Sequence, residues 1–121
     1  ILGGRSRAVF NGQIYVSSQG HLTDASQSNK NLLLSNVCHV DTKPQLEIFA
    51  DDVKCSHGAT IGQLNDDEIF YLRARGVDEE VARKLLIYGF AAEIIESIGI
   101  NSLVQTLSDK ILLQTGNEKL I

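Results

Sequence analysis

The apolar pattern of this 121-residue chain changes period at Asn65, and that change constrains its fold more than any other feature. Before it, short apolar groups stand among polar residues: Ala8-Val9-Phe10, Ile14-Tyr15-Val16, Leu32-Leu33-Leu34, Leu46-Glu47-Ile48 and Val53-Lys54-Cys55. Runs this short, separated by Asn, Asp, Ser, Gly and Gln, read as β-strands joined by turns. A faint repeat runs through them. Asn11-Gly-Gln-Ile-Tyr-Val-Ser and Asn29-Lys-Asn-Leu-Leu-Leu-Ser share a pattern, with His21 and His39 at equivalent offsets. Uneven intervals of this size suit stacked coils of a parallel β-solenoid, and the strand lengths suit a sandwich almost as well. Pro44 is expected just before a strand, where a missing N–H costs least. Asn29 and Asn31, around Lys30, read as turn residues or as an inward polar ladder.

From Asn65 the spacing is helical. Asn65 followed by Glu68 has the form of a capping box, and Asp66, Asp67 and Glu68 suit the positive end of a helix dipole. Ile69, Phe70 and Leu72 give this short helix its buried face, and Gly76 is the expected stop. Asp78 caps a longer helix to about Ile98, with Glu79 and Glu80 expected to pair with Arg83 and Lys84 one turn on. Its predicted core stripe is Val81, Leu85, Tyr88, Ala92 and Ile95, widened by Leu86, Phe90 and Ile94. Gly89 in mid-helix is expected to admit a close neighbour. A third helix starts at Asn101 or Ser102 and runs to about Leu113. The division is therefore a β region over residues 1–64 and a helical region over residues 65–121.

Charge narrows the function. Residues 1–64 hold five acids and five Lys/Arg, and residues 65–121 hold ten and six, which accounts for the whole net charge of −4. An acidic helical half argues against nucleic acid, since phosphate contacts need a basic footprint. No apolar run is long enough to span a membrane. With Cys38 and Cys55 as its two cysteines, the chain has no disulfide framework, and reduced thiols in a cytoplasmic compartment fit better. It contains no Met and begins Ile1-Leu2-Gly3-Gly4, as expected of a piece of a longer protein.

The chemistry-bearing residues lie in Asp51-Asp52-Val53-Lys54-Cys55-Ser56-His57-Gly58-Ala59-Thr60. In an extended chain residues two apart face the same side, so Cys55 and His57 would present sulfur and nitrogen together. Thiolate and imidazole are ligands for iron, zinc and iron–sulfur clusters. Two ligands make half a site, and a partner chain would supply the rest. On the residues alone, a packing role for Cys55 and a surface hydrogen bond for His57 remain open. Cys38-His39 is a second pair, but adjacent strand residues face opposite ways, and packing and surface roles are expected. Ser56-His57 does not make a nucleophile–base contact by adjacency, and no phosphate-binding glycine loop is present. Asp51-Asp52 reads as a turn.

The segment DDVKCSHGATIGQLNDDEIFYLRARGVDEEVARKLLIYGFAAEII, with FNGQIYV and NLLLSN upstream, resembles the C-terminal part of the SufB/SufD family of iron–sulfur cluster assembly proteins. The match spans roughly residues 8 to 96, and the intact Cys-Ser-His favours the SufD branch. The resemblance implies the terminal rungs of a right-handed parallel β-helix followed by a helical region. It further implies a non-catalytic scaffold subunit that pairs with a SufB-like subunit, or with itself in the absence of one. A SufC-like ATPase would be held through the helices from Asn65 to about Leu113, and its closure would strain the pair and expose the interface. His57, and less directly Cys55, would then be ligands to a nascent iron–sulfur cluster shared with the partner and not retained by this chain alone. The same family leaves a plastid stroma as an alternative compartment. Two other readings are a stand-alone β-solenoid metal protein or enzyme using Cys55 and His57 with His21 or His39, and a solenoid serving oligomerisation alone.

Overall fold

The computed structural model describes residues 1–117. It contains β1 (Arg7–Val16), β2 (Asp24–Leu33), β3 (His39–Ile48), β4 (Lys54–Gln63), α1 (Asp66–Arg73), α2 (Glu79–Glu96) and α3 (Asn101–Asn117). These form two compact units, Ile1–Gly62 and a helical unit beginning at Gln63. Residues 118–121 of the expected helical region lie outside the described residues.

The strands are longer than their apolar triplets. Ala8-Val9-Phe10 and Ile14-Tyr15-Val16 are two ends of one strand, β1, bridged by Asn11-Gly12-Gln13. Half of β2 and most of β4 carry no apolar run at all. Burial nevertheless alternates with period two, placing Ala8, Phe10, Gly12, Ile14 and Val16 on the covered side of β1 and Ala25, Gln27, Asn29 and Asn31 on that of β2.

A closed right-handed parallel β-helix is not what these strands make. Each strand pairs with the next but one, so β1 joins β3 and β2 joins β4 in two separate two-stranded sheets. Among the described residues neither sheet has a third strand, and the coils do not close into a solenoid. The β1–β3 pair is parallel, with Arg7 opposite His39, Asn11 opposite Lys43 and Val16 opposite Ile48. The repeat linking Asn11 to Asn29 therefore relates strands of different sheets, and short-range similarity is a poor guide to which strands bond. The buried apolar residues of this unit are Val16, Leu32, Leu34, Cys38 and Val40.

Pro44 lies inside β3, opposite Gly12, rather than ahead of the strand. The N–H groups of His39 and Phe49 bond to Ser6 and Val16 of the β1 side, so alternate residues from His39 onward face β1. Pro44 falls in the other set, at the free edge, where no ladder bond is lost.

The helices follow their caps. Asn65 Oδ1 accepts from the Asp67 N–H and Asp78 Oδ1 from the Glu80 N–H, each at 2.9 Å. Gly76 ends the first helical segment with φ of +86°, a left-handed conformation that suits glycine. The buried face of α2 differs from the predicted stripe. Ile95 of the stripe is buried as expected, together with Ala82 and Ile87 outside it, whereas Val81 and Leu85 of the stripe are about half exposed, at 48% and 51%. Neighbours on both α1 and α3 rotate the contact surface away from a single seam. Glu79 pairs with Arg73 of α1 at 2.9 Å instead of Arg83, whose Nε is enclosed without a partner.

Gly89 admits no close neighbour, since a Cβ built there meets nothing within 4 Å. Gly89→Ala is accordingly expected to stabilise α2 by about 0.5–1 kcal/mol, through reduced freedom of the unfolded chain and better helix propensity. A thermal melt reads this directly, and a lowered midpoint would reveal a hidden contact at that position.

Candidate functional site

The orientation of β4 follows from three contacts. The Lys54 N–H donates to the Thr23 carbonyl at 2.8 Å, the same offset by which His39, bonded to Ser6, stands opposite Arg7. Asp24 is thus opposite Lys54, and β2 and β4 continue in parallel register. Ser56 and Ser26 share a hydroxyl contact of 3.2 Å on one face, as that register requires. Asn31 Nδ2 reaches the Thr60 carbonyl at 3.1 Å further along.

Cys55 and His57 therefore stand side by side on the opposite face from Ser56, next to Ala25 and Gln27 respectively. Two strand residues of this spacing are roughly 6.5–7 Å apart at their Cα atoms, close enough for both to touch one small cluster. Cys55 is half-buried and His57 exposed. Ala25, opposite the thiol, is the smallest side chain with a Cβ.

Main-chain groups of the same two residues are also available. Parallel ladders use alternate residues of a strand, and Lys54 is one that bonds to β2. Cys55, His57, Ala59 and Ile61 consequently turn their N–H and C=O groups to the other edge of β4. That edge has no strand beside it among the described residues.

The face that carries His57 is polar along β2. Asn31, only 8% exposed, donates from Nδ2 to Asn29 Oδ1 at 2.6 Å and so forms an inward ladder with Asn29 and Thr60. Gln27, one step earlier on the same face, has a fully enclosed Oε1 with no donor. Gln27 was not legible as a site residue, because Asp24–Lys30 lacks the apolar alternation that marks a strand. The inward parity shared by Gln27, Asn29 and Asn31 is the signal that could have found it.

The other imidazoles lie elsewhere. Cys38 is 6% exposed, and its thiol lies 3.1 Å from the Ser35 carbonyl, as expected of a packing residue. His39 begins β3 and points outward, with Nε2 3.0 Å from Asp41 Oδ1. It belongs to the other sheet from Cys55 and His57. His21 is exposed in the turn before β2. Among the described residues no three His, Cys, Asp or Glu side chains are grouped to hold a metal ion. Asp52 has φ of +54° in the turn ahead of β4, in line with the turn role read from Asp51-Asp52.

The His39 hydrogen bond is the main cause that holds the Asp41 carboxyl below its ordinary value of 3.8; desolvation opposes it, and the charges of His39 and Arg7, with the Arg7 hydrogen bond, reinforce it. A depressed carboxylate contributes stability above its unfolded value and loses it as pH falls through the folded one. On the Asp41 side the contribution is therefore present above the ordinary carboxylate range and is lost as pH falls below 3.8. His39→Ala is expected to return the Asp41 titration toward that value, measured by NMR of the carboxyl carbon. An unchanged titration would mean that the pair does not form in solution.

Comparison with known proteins places this arrangement. Residues 1–90 match the family model described as SUF system FeS cluster assembly, SufBD core domain. The chain is 50% identical over 111 residues to the iron–sulfur cluster assembly protein SufD of Escherichia coli, covering 92% of this chain and 26% of that protein. It is 53% identical over 98 residues to an iron–sulfur cluster assembly SufBD family protein of Synechocystis, covering 81% and 22%. A chloroplastic protein of Arabidopsis thaliana is 49% identical over 90 residues, covering 74% and 19%. The chain thus spans about a quarter of the length of the curated relatives it matches.

Proposed function

The chain belongs to the SufBD family of iron–sulfur cluster assembly proteins, and from that membership we propose that it acts as a scaffold whose terminal strand helps to form the nascent cluster. The cluster is cargo, shared with a partner and passed on. The observation that carries this reading is the placement of Cys55 and His57 on one face of β4, with their main-chain groups at its free edge.

Each feature has a part in such a role. A strand from a SufB-like subunit could bond to the free edge of β4, which presents alternate N–H and C=O groups as a template. Pairing there would bring the partner's ligands up to His57 and Cys55. An iron–sulfur cluster needs about four protein ligands, so two from this chain make half a site. His57 is the ligand and Cys55 the assisting thiol, because the exposed imidazole is free to reach a cluster while the thiol is half enclosed.

The helical unit would dock a SufC-like ATPase. It exposes Phe70 and Tyr71 on α1 and Val81 and Leu85 on α2, an apolar surface uncommon in a unit whose buried core is small. Its acidic balance favours a basic partner surface. Nucleotide hydrolysis in that partner would supply the work, and this chain would need no catalytic group of its own. No helix of the described residues is long and apolar enough to cross a membrane.

The test is binding of the complete protein to a purified SufC-type ATPase, with metal assayed on the same sample. A one-to-one complex without bound metal is the expected result. Stoichiometric metal on the protein alone, with no ATPase binding, would replace the scaffold with a solitary metal site.

A further inference from the structure

Gln27 is the residue that no other role absorbs. It lies on β2 with its side chain covered, and the register set by Lys54 and Thr23 makes it the direct neighbour of His57 on β4. Neighbouring parallel strands are about 4.8 Å apart, so a glutamine amide and an imidazole in that relation are within hydrogen-bond reach after side-chain rotation.

The space around Gln27 is built for its amide. A Cβ at Gly12 of β1 would lie 2.3 Å from Gln27 Nε2, so the glycine lets the side chain rest against the β1 backbone. The amide oxygen meets no donor there, although it is fully enclosed. An enclosed acceptor without a donor is destabilising. Asn29 Oδ1, the next acceptor along the row, is already engaged by Asn31. His57 is exposed and free to turn, and it carries a ring N–H in any tautomer.

We propose that Gln27 is a positioning residue for His57. Its Oε1 accepts a hydrogen bond from one imidazole N–H, which fixes the tautomer and leaves the lone pair of the other ring nitrogen facing away from β2 for the cluster. Ligating histidines are commonly set in this way, by an acceptor on the nitrogen that does not ligate. The contact also satisfies the enclosed oxygen. This inference deepens the scaffold reading and rests on His57 being the ligand in it.

The experiment is long-range proton–nitrogen NMR on the complete protein with ring-labelled histidine, the His57 signals being assigned by their loss in His57→Ala. The wild type is expected to show one His57 tautomer. Gln27→Leu, close in size but without an acceptor, is expected to release it to a mixture. Gln27→Glu keeps the acceptor and is expected to restore the single form. In reconstituted assembly, Gln27→Leu should lower the rate of cluster formation about tenfold, the usual effect of removing an acceptor behind a ligand. A tautomer mixture in the wild type, or a single tautomer that survives Gln27→Leu, overturns the assignment. Normal cluster yield from His57→Ala would instead remove the scaffold role of His57 and leave the tautomer result standing.

Discussion

His57→Ala is expected to lower cluster assembly by about tenfold or more, while binding of the partner subunits is retained. The side chain is exposed, so its removal leaves no cavity. Surface substitutions usually change stability by no more than about 0.5 kcal/mol, and the enclosed Gln27 Oε1, which loses its proposed donor, adds about 1–3 kcal/mol that a retained complex shows to be tolerated. A loss of assembly would therefore report chemistry rather than unfolding. The proposed edge pairing of β4 would use main-chain groups, and alanine keeps them. The measurement is cluster formation by visible absorbance in the reconstituted complex, with complex formation followed by gel filtration on the same sample. Normal yield would take His57 out of the mechanism. Loss of the complex itself would place His57 in docking instead. Cys55→Ala is a useful companion, because the half-buried thiol mixes packing with chemistry and should affect stability as well as yield.

Legibility of this fold in its sequence depends on where the local signal lies. The helices announce themselves through their ends. Asn65, Asp78 and Gly76 act within one turn of chain, and each takes the role that its chemistry dictates. The strands do not, because strand pairing is decided between residues far apart. The alternation of β1 and β3 is visible, but nothing local says that Arg7 faces His39 rather than a residue nearer in sequence. For that reason the repeat from Asn11 to Asn29 suggested stacked coils, and the structure has two small facing sheets instead. The stripe of α2 shows the same limit, since helical periodicity locates an apolar face only when one surface covers it. With α1 and α3 both packed on α2, burial shifts to Ala82 and Ile87.

The candidate site divides similarly. The shared face of Cys55 and His57 was legible because residues two apart on a strand stand side by side, while their proposed role as ligands came from the family resemblance. Gln27 was not, being an ordinary amide in a polar stretch whose importance comes wholly from the strand beside it. The same stretch explains why β2 begins at Asp24 without an apolar residue to mark it. Two of its inward side chains are satisfied by one another and by β4, Asn31 bonding to Asn29 and to the Thr60 carbonyl, rather than by burial in oil.

Ile87→Ala is expected to cost about 2–5 kcal/mol and to fall almost wholly on the helical unit. Ile87 is 5% exposed in the middle of α2, the helix that contacts both α1 and α3. The other buried apolar residues of that unit are few: Ile69, Ala82 and Ile95 among the described ones. Whole domains are stable by only about 5–15 kcal/mol, and a unit with so small a core has less to lose. Helical circular dichroism should therefore melt at a markedly lower temperature than in the wild type. Hydrogen exchange separates the two units in the same sample. Amides of β1 and β3 should keep their protection, and those of α2 should lose it. Under the scaffold reading ATPase docking disappears with the helices, while His57 and β4 remain competent to pair. Loss of protection in the strands as well would show that the two units fold as one. Docking that survived the melting of α2 would move the ATPase surface away from the helical unit.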